Sequence, residues 1–137
     1  MQLVISGSVS FDVIMSMPKR FQDYLMPDKL HILNVSFLMD TFRQEMGGCA
    51  GNQAYGLALL GYRPILLAAA GRDFLAYRKH LEKAGVDCTK VKISRRLATA
   101  TGFCMTDKDN NQWQITLKTA LKTIIDFYLT RRFKFLD

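Results

Sequence analysis

Residues 64–71 read Pro-Ile-Leu-Leu-Ala-Ala-Ala-Gly, an apolar run of strand length closed at each end by a chain breaker. A strand with one face in water alternates polar and apolar side chains, whereas one that is apolar throughout is covered on both faces, as in a parallel sheet flanked by helices. The neighbouring segments fit that picture. Gln53 to Gly61 has a helix-like composition with Ala54, Leu57 and Leu60 on one face, and stops at a glycine. Phe74 to Ala84 predicts an amphipathic helix, with Tyr77 and Leu81 spaced i, i+4 and Gly85 as its end. Strand, helix, strand, helix is the grammar of an α/β fold.

The remaining elements are shorter. Leu3-Val4-Ile5 predicts a buried strand that breaks at Gly7, and the strand signal resumes from Phe11 to Met15 with Asp12 at the junction. Pro18-Lys19-Arg20 is a turn, and Phe21 to Leu25 allows one helical turn before Pro27-Asp28. Leu33, Val35 and Phe37 alternate with Asn34 and Ser36, the period of a strand with one polar face, so this section reads as a small antiparallel sheet. Val91 and Ile93 suggest another short strand, and Thr99 to Thr106 a longer one. Asp107-Lys108-Asp109-Asn110-Asn111 is a hairpin turn, with Gln112 to Leu117 returning.

At 137 residues, 49% hydrophobic and 23% charged, the chain has the size and composition of one domain with its own core. No run approaches the roughly 18 apolar residues of a membrane span, and the first residues lack the pattern of a secretory signal, which predicts a cytoplasmic protein without a membrane partner. Cys49, Cys88 and Cys104 are odd in number and widely spaced, as expected of reduced thiols rather than zinc ligands. His31 and His80 sit in no ligand-like spacing, so no metal is expected on them. The net charge of +7 raises nucleic acid as a partner. From Trp113 onward there are five basic and two acidic residues, and the other basic residues are scattered. A solvated surface explains this better than a phosphate-tracking stripe.

Chemistry concentrates in Gly47-Gly48-Cys49-Ala50-Gly51-Asn52, a glycine-dense turn that closes on an asparagine at the expected start of a helix. Glycine admits positive φ and exposes peptide N–H groups, and a helix start adds oriented donors, so the turn suits hydroxyls or an anion. Plainer readings stand beside this one: Asp12 as a turn residue, Asn52 as an N-cap, Gly47 and Gly48 as a tight turn, and Asp73 as the cap of the helix from Phe74.

Taken together these motifs resemble a known family. Leu3 to Asp12 is similar to the opening of the ribokinase-like (PfkB) carbohydrate and nucleoside kinases. Gly47 to Ala54 with Gly61 resembles that family's N-terminal signature, and Gly71-Arg72-Asp73-Phe74 with Ala84-Gly85-Val86-Asp87 its next landmark. Pro27-Asp28-Lys29-Leu30 and Leu33 to Phe37 look most like adenosine-kinase-like or short sugar kinase members. The resemblance implies a Rossmann-like α/β core over residues 1–112, with a small β-sheet lid from about 13–46 and 88–117. It implies that Asp12 and Asn52 hold substrate hydroxyls and that Gly47 and Gly48 serve as the lid hinge. ATP and Mg2+ are the cofactors it implies for full-length members, and a sugar or nucleoside the substrate.

The family's anion-hole glycines, catalytic aspartate and ATP loops lie downstream, and this chain has no glycine after Gly102. The resemblance therefore assigns no catalytic residue here and implies a truncated, substrate-binding portion that is inactive alone and binds no nucleotide. Residues 113–137 depart from the family pattern as a basic tail. Leu117, Leu121, Ile125 and Tyr128 fall at near-helical spacing. A frameshifted or truncated reading frame, a natural divergent end and a partner-binding helix all remain open for it. The alternative function is a non-catalytic module that pairs through an open sheet edge or this helix, including as a homo-oligomer through edge or lid.

Overall fold

The computed structural model describes residues 2–117. They form two compact units: residues 2–11, 46–101 and 117 in the first, Asp12–Glu45 and Gly102–Thr116 in the second.

In the first unit, strand β1 (Val4–Ser6) pairs in parallel with a strand from the apolar run, in the register Val4 to Ile65 and Ser6 to Leu67. That run is two strands rather than one. The strand after β1, β2 (Ser10–Ser16), and its neighbour β3 (Thr41–Gly47) precede it in the chain, so its parts are β4 (Ile65–Leu67) and β5 (Ala69–Ala70). They separate at Ala68 because the partner changes: β4 takes β1, and β5 takes β6 (Lys92–Ile93), also in parallel. On its far edge β4 is held by Leu66 N–H donating to Asp87 C=O and Asp87 N–H to Pro64 C=O, at 2.8 and 2.9 Å. The run pairs in parallel as expected, but in β4 only Leu66 is buried, with Ile65 and Leu67 half-buried, so cover on both faces is not seen there; β6 lies in this unit.

Two helices supply the cover. Helix α1 spans Cys49–Leu59 and helix α2 Leu75–Ala84. The buried stripe of α1 is Ala50, Ala54 and Ala58, not the Ala54, Leu57 and Leu60 face expected from sequence; Leu59 and Leu60 are 67% and 74% exposed. Methyl side chains at i, i+4 let this helix lie close to its neighbours, where a leucine would not fit. Both helices end as predicted. Gly61 has φ +87°, with Gly61 N–H donating to Ala58 C=O and Tyr62 N–H to Leu57 C=O. Gly85 has φ +108°, and Val86 N–H donates to Leu81 C=O. Both are left-handed caps with a 6→1 bond. Val9, Leu66, Phe74, Tyr77 and Leu81 form the heart of the core.

In the second unit β2 and β3 join β7 (Ala100–Thr106) and β8 (Gln112–Leu117) in one sheet of order β3-β2-β7-β8. The turn Asp107–Asn111 joins β7 to β8 as the expected hairpin, with Asp107 N–H donating to Asn111 C=O at 2.9 Å and Asn110 at φ +64°. Two 3-10 turns, Phe21–Asp23 and Pro27–Lys29, replace the single helical turn. Leu33 to Phe37 is not a strand: the alternation survives in burial, with Val35 and Phe37 half-buried, but the position beside β2 is taken by Thr41–Gly47. Asp40 N–H donates to Ser16 C=O, and the Ser16 and Thr41 hydroxyls bond at 2.6 Å, which sets that pairing. Trp113 to Leu117 lie in β8, and the helix expected from Leu117 to Tyr128 falls, beyond Leu117, outside the described residues. No helix among the described residues is long and apolar enough to cross a membrane.

Candidate functional site

Alternation gives the four-stranded sheet two unlike faces. On one, Trp113 stacks on Phe21 with ring centroids 5.3 Å apart, and Phe37 meets both edge-on at 5.5 and 5.6 Å. That aromatic cluster gives the sheet apolar backing. The opposite face is polar. Asp12 and Ile14 of β2, Arg43 of β3, Gly102, Cys104 and Thr106 of β7, and Gln112, Gln114 and Thr116 of β8 line a concavity of about 480 Å³.

Asp12 is half-buried within it. Its carboxylate reaches over β7 at Gly102, where an added Cβ would stand 3.4 Å from Oδ1. A carboxylate is chemically able to accept hydrogen bonds from two adjacent hydroxyls. Of this face, sequence reasoning singles out Asp12 alone. The available signal was the alternation of Gln112, Gln114 and Thr116 with Trp113, Ile115 and Leu117 on the returning strand.

The hairpin that carries those glutamines is fixed by Asp107, which sequence placed only in a turn. Its buried carboxylate accepts from the Phe21 N–H at 3.1 Å, from the Asp109 and Asn111 N–H groups at 2.9 Å each, and from the Asn111 side-chain amide. Burial opposes its ionisation, but these donors, the Asn111 amide foremost, outweigh it and hold the carboxyl at about 2.

Gly47, Gly48 and Asn52 come together in the first unit, at the start of α1. The helix begins earlier than expected: Gly48 is the N-cap, and Asn52 is an exposed residue of the first turns whose N–H donates to Gly48 C=O at 3.0 Å. Gly48 is required twice over, since its φ is +92° and an added Cβ would lie 2.6 Å from Ser8 O and 2.7 Å from Val9 Cα. Gly47 is anchored through its carbonyl, which accepts from the buried Tyr77 hydroxyl at 2.9 Å. Gly51 makes room for that hydroxyl, because an added Cβ there would collide with it.

The helix start is not an open anion seat. Cys49 N–H donates to Ser8 Oγ at 3.2 Å, and Ala50 and Gly51 N–H donate to Ser8 C=O at 3.0 and 3.3 Å. Ser8 thus satisfies the donors a phosphate would need. The described residues at this helix start therefore do not fit the phosphates of ATP. Nor do they hold any group of three or more His, Cys, Asp or Glu placed to bind a metal ion.

Asp73 departs from its expected role. It does not cap α2; its Oδ1 accepts from Thr99 N–H at 2.8 Å and from the Thr99 hydroxyl at 2.6 Å, while Gly71 N–H donates to Thr99 Oγ1 at 2.9 Å. Burial works against the Asp73 charge, and the two Thr99 bonds more than compensate, holding its carboxyl below the usual range. This landmark is a clasp between two chain segments. The thiols of Cys49, Cys88 and Cys104 are free, and burial pushes Cys88 up to about 11, the mark of an unreactive thiol. His80 stacks on Tyr55 with centroids 4.8 Å apart.

Known proteins share this architecture. A nucleoside kinase of Methanothermobacter thermautotrophicus is 33% identical over 112 residues, which is 80% of this chain and 33% of that protein. The structure of Burkholderia thailandensis nucleoside kinase in complex with inosine superposes with a TM-score of 0.72 at 33% identity, over 89% of this chain and 38% of that one. The Methanocaldococcus jannaschii nucleoside kinase, an archaeal member of the ribokinase family, gives 0.75 at 29% identity, over 88% of this chain and 38% of that one. The chain thus spans about a third of the length of the curated relatives it matches. Residues 8–124 match the family described as pfkB family carbohydrate kinase. With that match over most of its length and ribokinase-fold structures superposing on it, the chain belongs to the pfkB carbohydrate kinase family.

Proposed function

We propose that this chain supplies the acceptor-binding portion of a kinase that phosphorylates the hydroxymethyl group of a nucleoside or sugar. The observation behind this is the polar concavity in which Asp12 leans across Gly102. Its carboxylate takes neighbouring ring hydroxyls. Asn52 and the backbone at Gly48 take further hydroxyl contacts, and Gly47 and Gly48 are the hinge of the lid. ATP is the phosphoryl donor expected of the family, and Mg2+ would accompany it. Phosphoryl transfer rests on positioning and on neutralising charge at the transferred group. The helix start that Ser8 closes offers no seat for that charge, so this portion binds the acceptor and does not turn over ATP by itself.

Isothermal titration of the chain with inosine, adenosine, ribose and fructose tests the reading. Weak binding that falls roughly tenfold or more in Asp12→Asn is the expected result, from the loss of charge-assisted bonds. Tight binding together with ATP turnover would overturn it.

A second reading, a module that pairs with another chain, draws on the exposed Val4 of β1 and on Leu59 and Leu60. Light scattering that shows a clean monomer at high concentration would count against it.

A further inference from the structure

Two strands of the concavity have their roots in the first unit. Strand β3 crosses at 45/46 and ends at Gly47, and β7 begins at Ala100 and crosses at 101/102. Both roots are held by the same short stretch at the head of α2. On β3, the Gly47 carbonyl accepts from the buried Tyr77 hydroxyl at 2.9 Å. Just before β7, the buried Thr99 donates to Asp73 Oδ1 from its N–H at 2.8 Å and from its hydroxyl at 2.6 Å. Its Oγ1 also accepts from Gly71 N–H at 2.9 Å, and Arg72 N–H donates to Leu97 C=O at 3.1 Å. The two segments lie so close that a Cβ added at Gly71 would collide with the Ala98 and Thr99 backbone. Burial changes at the same places. Within β3 only Gly47 is buried, and within β7 only Ala100. A buried group that loses its hydrogen-bond partner is costly, whereas a strand with little burial opens readily. The roots are therefore stiff and the strands beyond them compliant.

We infer that Asp73 and Tyr77 are positioning residues of the lid, which pin the roots of β7 and β3 so that both strands bend at their crossings, 45/46 and 101/102, and not within the core. The inference rests on the acceptor-binding reading for taking the second unit as a lid, and adds the residues that set its pivots. Gly47 and Gly48 become the seat of one pivot, and the Asp73–Thr99 clasp the seat of the other. Gly102, which follows the second crossing, is the floor beneath the Asp12 carboxylate, so a slack root at Thr99 would shift that floor.

Nitrogen-15 relaxation dispersion on the whole chain reads the microsecond-to-millisecond motion of a hinge residue by residue. Exchange should appear at residues 45–46 and 101–102 and be absent at Gly47 and Thr99. Tyr77→Phe should extend it past Gly47 into the start of α1, and Asp73→Ala past Thr99 to Leu97. Asp73→Asn keeps an oxygen that accepts both Thr99 bonds and should show the native pattern. Leu81→Ala, in the same helix but party to neither bond, should lower stability and leave the pattern in place. Should Asp73→Ala lose its fold by circular dichroism, Thr99→Val, which keeps the shape without the hydroxyl, must show the same extension. Exchange at Gly47 and Thr99 in the native chain, none at either crossing, no extension in the two pin variants, or an equal extension in Leu81→Ala overturns the pins. No acceptor enters these measurements, so that outcome leaves the acceptor-binding reading to its titration. A titration without binding, beside the expected exchange pattern, removes the acceptor-binding reading alone.

Discussion

At the scale of single residues, the glycine turn depends on a hydroxyl that sequence did not connect to it. Tyr77 donates to Gly47 C=O from inside the core, and Gly51 leaves the space it occupies. Tyr77→Phe should cost about 1–3 kcal/mol in urea unfolding, since a buried carbonyl loses its partner. Gly51→Ala should cost more, because the new methyl must displace the same hydroxyl. Asp107 gives a pH signature. Its pKa falls from 3.8 to about 2 on folding, so the folded state favours the ionised form. The resulting stability is complete above the unfolded value and is lost as pH falls from about 4 toward 2. Asp107→Asn should lower the thermal midpoint at neutral pH and narrow its fall between pH 4 and 2, read by calorimetry. Asp73 contributes with the same sign. Asp12, Gly47 and Gly48 stand out in the sequence because glycine and carboxylate at fixed spacing are local signals, and the turn at Gly48 is present. The role of Asp107 does not, since one of the donors that hold its carboxylate, the Phe21 N–H, is distant in sequence.

At the scale of elements, helix ends were legible and helix faces less so. Gly61 and Gly85 mark their stops through local backbone geometry, which needs no partner. Which stripe of α1 is buried depends on how closely its neighbours approach, and that belongs to the packing. The buried alanine stripe leads to opposite outcomes on the two sides of the helix. Ala54→Leu should destabilise by about 1–3 kcal/mol through overpacking, while Leu60→Lys, on the exposed side, should stay within about 0.5 kcal/mol. In α2, Leu81→Ala removes a fully buried side chain and should cost about 2–5 kcal/mol. Strand β3 escaped notice because it buries no face along Thr41 to Met46, so no period-2 signal exists to read. Its charges suit an edge that must not pair with another chain.

At the scale of the whole molecule, the α/β class and the family were legible from motif order, while the polar concavity was not. That surface is assembled from strands far apart in sequence, and Arg43 or Gln114 alone says nothing of it. The division of the described residues into two units has a further consequence. The chain passes between them at 11/12, 45/46, 101/102 and 116/117, so neither unit is one continuous stretch. Strand β2 lies between β3 and β7 in the sheet. During synthesis its first neighbour emerges early, but the second emerges only after α1, β4, β5, α2 and β6 have left the ribosome. For that interval one edge of β2 is an unfilled template, and the growing chain must keep it from other strands until residues 100–106 arrive.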